Sequence, residues 1–263
     1  MANTRGVFTL QEVKYAQEDN VWVTPDETFA SNITTSPNVG YYAAGYTPSE
    51  VSSIDKCNFS SDTTALLPSA NLSTVRATHG ATNSLQAAYF GGGRTPLTTR
   101  MDKLTYSIDT VAYIPSANLS VTRQDPVASG SFSQGYWAAG YNGSSYVTTV
   151  DKCIYATDTT FRFPSANLVT ARNIAAMAGT QSLGLIGGGY SGSAYLSSFE
   201  KITYSTDTIG SSSAQLTVAR GSLTATGNST AGYYGGGGTS GPTFYSRMDK
   251  LTYSGETVSY VQI

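Results

Sequence analysis

The sequence predicts an all-β fold, a five-bladed β-propeller of four-stranded blades, and two observations predict it. The first is a fivefold repeat of a glycine-closed strand followed by an acid, a lysine and a small-to-medium apolar residue. The copies pair Gly40-Tyr41-Tyr42-Ala43-Ala44-Gly45 with Asp55-Lys56-Cys57, and Ala88-Tyr89-Phe90-Gly91-Gly92-Gly93 with Asp102-Lys103-Leu104. Next come Gly135-Tyr136-Trp137-Ala138-Ala139-Gly140 with Asp151-Lys152-Cys153, and Gly184-Leu185-Ile186-Gly187-Gly188-Gly189 with Glu200-Lys201-Ile202. The last joins Gly232-Tyr233-Tyr234-Gly235-Gly236-Gly237 to Asp249-Lys250-Leu251. From acid to acid the spacing is 47, 49, 49 and 49 residues, a period that belongs to propellers and other repeat arrays. The second observation is that one period holds four short strand-like segments and no apolar run at helical spacing.

In chain order, residues 1–27 stand outside the repeat and read as an attachment segment. Thr9 with Glu12 three residues on forms a capping box for a short helix over 9–17, with Leu10 and Val13 on one face and Tyr15 on another. Phe8 precedes it, and Trp22 follows in an extended stretch. A helix of about two turns is unstable alone, so this segment must dock on the ring or on a partner. The blades then run 28–75, 76–122, 123–171, 172–219 and 220–263.

The second blade is the clearest. Arg76 opens it, Asn83-Ser84 turns the chain, and residues 87–93 form an apolar strand closed by glycines. A loop leads into a strand where Asp102, Leu104 and Tyr106 alternate onto one face. Ser107-Ile108-Asp109-Thr110 is a turn, and Val111 to Ile114 complete the fourth strand. Closure of the ring is expected, because it removes exposed sheet edges.

Arg76, Arg123, Arg172 and Arg220 follow the preceding acid by 21, 21, 21 and 20 residues, whereas the first repeat has Thr28 in the arginine slot. A charge recurring once per blade points to a structural network of acids with Arg or Lys rather than to catalysis, since buried charges persist when paired.

Composition excludes several function classes. Charged residues make up 12% of the chain and the net charge is -2, without the basic patch of a nucleic-acid binder. No apolar run is long enough for membrane insertion, and no signal peptide is evident at the start. Cys57 and Cys153 occupy the slot filled elsewhere by Leu104, Ile202 and Leu251; they read as small buried hydrophobes too far apart for a disulfide. The single histidine, His79, has no companions for a metal site or a triad, so it is expected to line the central channel. No cofactor and no metal are expected.

The connection between the second and third strands varies: 14, 13, 15, 15 and 16 residues separate the tyrosine slot from the acid. Variable loops on a rigid scaffold are where recognition concentrates. They carry Tyr46, Arg94, Tyr141, Asn142, Tyr146, Tyr190, Tyr195, Phe244 and Tyr245, which are the candidate ligand- or partner-binding residues. Aromatics among small polar neighbours suit sugar faces or protein surfaces.

The order of arginine, glycine-closed strand, aromatic-bearing strand and outer strand resembles a kelch-type blade, as in the galactose oxidase family. Tyr89-Phe90-Gly91-Gly92-Gly93 and Asp102-Lys103-Leu104, with Arg5-Gly6-Val7-Phe8-Thr9-Leu10 and Trp22 at the start, also resemble segments of structural proteins of tailed phages, including cyanophages. That resemblance implies a non-enzymatic virion component of the tail, fibre or capsid surface, assembled in the host cytoplasm. Its segment 1–27 would bind other virion proteins, its propeller would face outward toward host-surface glycan, and it would be a homo-oligomer on the particle. A sugar-binding lectin with repeated sites on the loop face is the alternative.

Overall fold

The computed structural model describes residues 39–47, 49–163, 166–240 and 243–261. It is an all-β, five-bladed propeller, with a single 3-10 turn at Pro115–Ala117 and no α-helix among the described residues. The expected helix over 9–17 and the attachment residues Phe8, Leu10, Val13, Tyr15 and Trp22 lie outside them.

Among the described residues the first blade shows three strands in a meander, β1 (Val39–Thr47), β2 (Ser49–Asn58) and β3 (Thr63–Leu66). The second holds β4 (Gly80–Asn83), β5 (Ala87–Gly91), β6 (Met101–Thr105) and β7 (Thr110–Tyr113). The third holds β8 (Val127–Gly130), β9 (Gln134–Ala138), β10 (Val150–Ile154) and β11 (Thr159–Arg162). In the fourth are β12 (Ala176–Gly179), β13 (Leu183–Gly187), β14 (Ser198–Thr203) and β15 (Thr208–Gln215). The fifth comprises β16 (Ala225's strand, Thr224–Gly227), β17 (Ala231–Gly235), β18 (Met248–Thr252) and β19 (Thr257–Val261). All pairs are antiparallel, and Tyr89 opposite Lys103 has its counterparts in Tyr136 opposite Lys152 and Tyr233 opposite Lys250.

The core is divided, because a sheet must cover both faces and each blade does so with its neighbours. Four apolar clusters fill the four gaps between consecutive blades. Ile54 and Leu72 meet Phe90 and Leu104; Tyr89 and Met101 meet Trp137 and Cys153. Tyr136 and Val150 meet Ile186 and Ile202; Leu185 and Phe199 meet Tyr234 and Leu251. Alternation along each strand sends one residue to the preceding blade and the next to the following one.

Each of the four repeated arginines is fully buried and paired with the acid of its own blade: Arg76–Asp102 at 2.8 Å, Arg123–Asp151 at 2.5 Å, Arg172–Glu200 at 2.6 Å and Arg220–Asp249 at 2.8 Å. The guanidinium also donates to strand-end carbonyls, as Arg123 does to Ala139 and Thr149. The acid accepts from the incoming connector, as Asp151 does from the Ser120 N–H. Burial pulls the Arg123 guanidinium below its ordinary pKa, and the nearby Asp151 charge opposes that pull.

The glycine ends of the second strands have a conformational cause. The third position is glycine in all five repeats and has positive φ throughout, for example +116° at Gly93 and +107° at Gly140. A Cβ at Gly140 would lie 2.7 Å from the Gln124 carbonyl oxygen. The second position tolerates alanine: Ala44 and Ala139 occupy it at φ of 57° and 62°, near the left-handed minimum rather than in glycine-only space.

Arg123→Ala leaves the Asp151 carboxylate buried without its cation, and we expect a loss of about 3–5 kcal/mol. Replacing both partners, Arg123→Met with Asp151→Leu, is expected to recover much of that loss. Urea denaturation of the two variants checks the difference.

Candidate functional site

The loop face is built by the connections between second and third strands. The blade-to-blade connectors run beside them on the same face: the N–H groups of Leu72, Leu119, Leu168 and Leu216 donate to the carbonyls of Ser52, Thr99, Thr148 and Ser197. These variable loops are thereby bonded to the scaffold.

On the third and fourth blades the candidate tyrosines come together. Tyr141 and Tyr146 bridge across one loop, and Tyr190 and Tyr195 across the next. Their rings form a continuous row, with centroids 5.2 Å apart for Tyr141–Tyr146, 5.8 Å for Tyr146–Tyr190 and 5.0 Å for Tyr190–Tyr195. The central contact is edge-to-face at 84°, a favoured aromatic geometry. Tyr141 donates its hydroxyl proton to the Gly143 carbonyl at 3.0 Å, and Tyr190 donates to Gly192 at 2.8 Å. These bonds hold the rings in place. Burial, and then the neighbouring tyrosines Tyr190, Tyr141 and Tyr195, raise the Tyr146 pKa.

Asn142 plays a local part instead of facing a ligand. Its side-chain oxygen accepts from the Ser144 and Ser145 N–H groups at 2.9 and 2.8 Å, closing the loop tip. Arg94 lies 5.8 Å over the ring of Tyr46 and 3.5 Å from Glu50, a separate aromatic–cation cluster between the first two blades. Phe244 is 82% exposed and borders a shallow cavity of about 280 Å³ with Tyr245, Arg247 and Tyr260. The nine candidates thus divide into a tyrosine row with its Asn142 support, a pair at Tyr46 and Arg94, and an open corner at Phe244 and Tyr245.

A second set of functional-looking groups serves the blades themselves. The turn acids Asp109, Asp158, Asp207 and Glu256 each accept a lysine from the preceding blade: Lys56 at 2.7 Å, Lys103 and Lys152 at 2.8 Å, and Lys201 at close range. Tyr41 and Tyr89 add their hydroxyls at 2.7 Å, and Tyr136 at 2.5 Å. Burial, then the bond to the acid, raises the pKa of each of these tyrosines. At the fourth blade Leu185 stands in the tyrosine slot, and Ser212 supplies the missing hydroxyl to Glu256 at 2.6 Å. The sequence alone marks the turn carboxylates as local turn formers. Their signal was a constant offset of seven residues from each acid of the Asp-Lys or Glu-Lys pair.

The inner strands β4, β8, β12 and β16 surround a polar cavity of about 400 Å³, lined in part by Thr82, Ser129, Gln181 and Thr226. His79 is not in this lining, contrary to expectation. It packs edge-on against Phe90 at 5.6 Å, because it precedes β4 and turns toward the blade interior. Its Nδ1 has no hydrogen-bond partner among the described residues. Burial and then the Arg76 charge push its pKa down to about 4. Cys57 and Cys153 are free thiols; Cys153 is buried as expected, and burial raises its pKa to about 11, whereas Cys57 is only partly buried, because its strand lies on the flank that no described neighbour covers. Among the described residues no group of three His, Cys, Asp or Glu side chains is placed to hold a metal ion.

The fold and the loop face define a β-propeller with a preorganised aromatic surface. No family model matches the chain, and no curated protein matches it.

His79 gives a pH signature. The unfolded chain binds a proton near 6.5 and the folded chain only near 4. Stability is therefore full above pH 6.5 and falls as the pH drops through that window, by about 2 kcal/mol allowing for the partly exposed ring. Denaturation midpoints between pH 7 and 5 are expected to fall in the parent chain and to stay flatter in His79→Gln.

Proposed function

We propose that the chain is a non-enzymatic structural or adhesion component of a phage particle. Its propeller presents the loop face to a host surface or another virion protein, and residues 1–27 attach it to the particle. The observation that carries the binding part is the row Tyr141–Tyr146–Tyr190–Tyr195, whose rings are fixed by the protein's own contacts. Ordered aromatic rings give contact area without losing rotamer freedom on binding. The repeated carboxylates are occupied by arginine and lysine, and His79 is held neutral, which favours a binding role over acid–base work. The virion setting rests on the resemblance of the repeat and of the first 22 residues to phage structural proteins.

A sugar-binding lectin is the second reading, favoured by a specific repetition. The Tyr141/Tyr146 and Tyr190/Tyr195 pairs have the same bridge and the same hydroxyl-to-glycine bond in consecutive blades, so each pair is an equivalent subsite and weak contacts add by avidity.

Glycan-array binding by the purified chain tests the surface. Tyr190→Ala, which opens the middle of the row, is expected to lower binding about tenfold or more while leaving the melting temperature within a few degrees. Undiminished binding by Tyr190→Ala would remove the row from the function. Mass spectrometry of purified particles tests the virion setting; deleting residues 1–27 is expected to abolish incorporation.

A further inference from the structure

Among the described residues four interfaces join the five blades, and each is built from the same two half-surfaces. The side facing the following blade offers the tyrosine slot, the apolar residue before the acid, and the lysine. The side facing the preceding blade offers the next strand residue, the slot of Leu104, the aromatic of Tyr106, and the turn acid. In the second-to-third interface these are Tyr89, Met101 and Lys103 against Trp137, Cys153, Tyr155 and Asp158.

One half of each kind is left over. On the first blade, Tyr42 is 61% exposed, whereas its counterparts Phe90, Trp137, Ile186 and Tyr234 are at most 3% exposed. Phe59, in the Tyr106 slot, is 49% exposed, and Asp62, in the turn-acid slot, is also exposed. On the fifth blade, Tyr233 and Met248 are only partly buried, while Tyr89, Tyr136, Met101 and Val150 are buried. A Cβ at Gly92 would strike the Arg123 carbonyl of the next blade at 2.8 Å, and one at Gly188 the Arg220 carbonyl at 2.7 Å. The same atom at Gly236 meets nothing within 4 Å. Lys250 lies over its own Tyr233 ring at 6.0 Å and has no ion pair among the described residues. No hydrogen bond, ion pair or ring contact joins the fifth blade to the first among those residues.

We propose that these two flanks are a head-to-tail docking pair for copies of this chain. The first blade of one copy seats on the fifth blade of the next. Asp62 accepts from Lys250 and from the Tyr233 hydroxyl of that neighbour, as Asp109 accepts from Lys56 and Tyr41 within the chain. Phe59 covers the Tyr233 ring as Tyr106 covers Tyr41 at 5.3 Å. Tyr42 fills the space beside Met248 that Trp137 fills beside Met101. The partner is identified by complementarity: a negative, aromatic flank at one end matches a positive, tyrosine-bearing flank at the other. Among the described residues nothing from the chain's own first blade covers the fifth, or the reverse. Such a contact is heterologous, so it propagates until it closes on itself.

Sedimentation of the full-length chain over a concentration series tests this. The parent chain is expected to associate. Asp62→Lys and Lys250→Asp are each expected to be monomeric, with self-association weakened about tenfold or more and unchanged circular-dichroism melting curves. An equimolar mixture of the two variants is expected to associate again, because each flank then meets its opposite charge on the other chain. A parent chain that stays monomeric throughout, whether through closure on itself or cover by its own residues 1–38, overturns the proposal. Association that survives both single variants, or fails to return in the mixture, overturns it as well.

Discussion

The buried arginine–carboxylate pair is the constraint on which the rest of each blade depends. A guanidinium and a carboxylate with essentially no water around them are tolerable only when nearly every polar atom is bonded. Arg123 meets that demand by gathering the Asp151 carboxylate and the carbonyls of Ala139 and Thr149 into one site, and Asp151 meets it by also holding the connector at Ser120. One pair thus fixes the end of the second strand, the start of the third and the arrival of the chain from the preceding blade. The loops that bear the aromatic surface spring from those same points, so their positions follow from the ion pair.

The contacts between blades are of a different kind. The lysine–aspartate–tyrosine clusters sit at the outer margin, partly exposed, where ion pairs contribute little stability. Their value is positional. They demand that a turn on one blade meet a particular pair of side chains on its neighbour, and apolar packing of Trp137, Ile186 or Tyr234 then fills the gap between the sheets.

Much of the architecture was legible in the sequence because it recurs. The period and the glycine-ended strands each correspond to an element in the structure, whereas each arginine bonds the acid that follows it in its own blade and not the acid 20 or 21 residues before it, and of the nine candidate residues Tyr46 lies within β1 rather than in a loop. What the sequence left unread involves contacts across blades. The pairing of Lys103 with Asp158 spans 55 residues, and nothing local reveals it. Asn142 and Tyr141 are adjacent in sequence, yet one closes a turn and the other extends an aromatic row. Tyr42 and Tyr234 occupy equivalent slots, yet one is exposed and the other buried, because exposure depends on which neighbour is present and not on the repeat itself.

The departures from strict repetition at the fourth and fifth blades have a consequence for assembly of the fold. Five similar blades in one chain could pair out of order while folding, since each offers a related surface. Glu256 has a longer reach than an aspartate and accepts from Ser212, beside a Leu185 that carries no hydroxyl. A blade bearing a turn aspartate would lack that reach at this junction. Trp137, likewise, donates its indole N–H to the Gly80 carbonyl at 3.1 Å, whereas its counterpart Tyr234 donates its hydroxyl to the Leu185 carbonyl at 2.6 Å and Phe90 and Ile186 have no donor to offer. Small irregularities of this kind label the blades, so that a chain of near-duplicates keeps its sequence order in space.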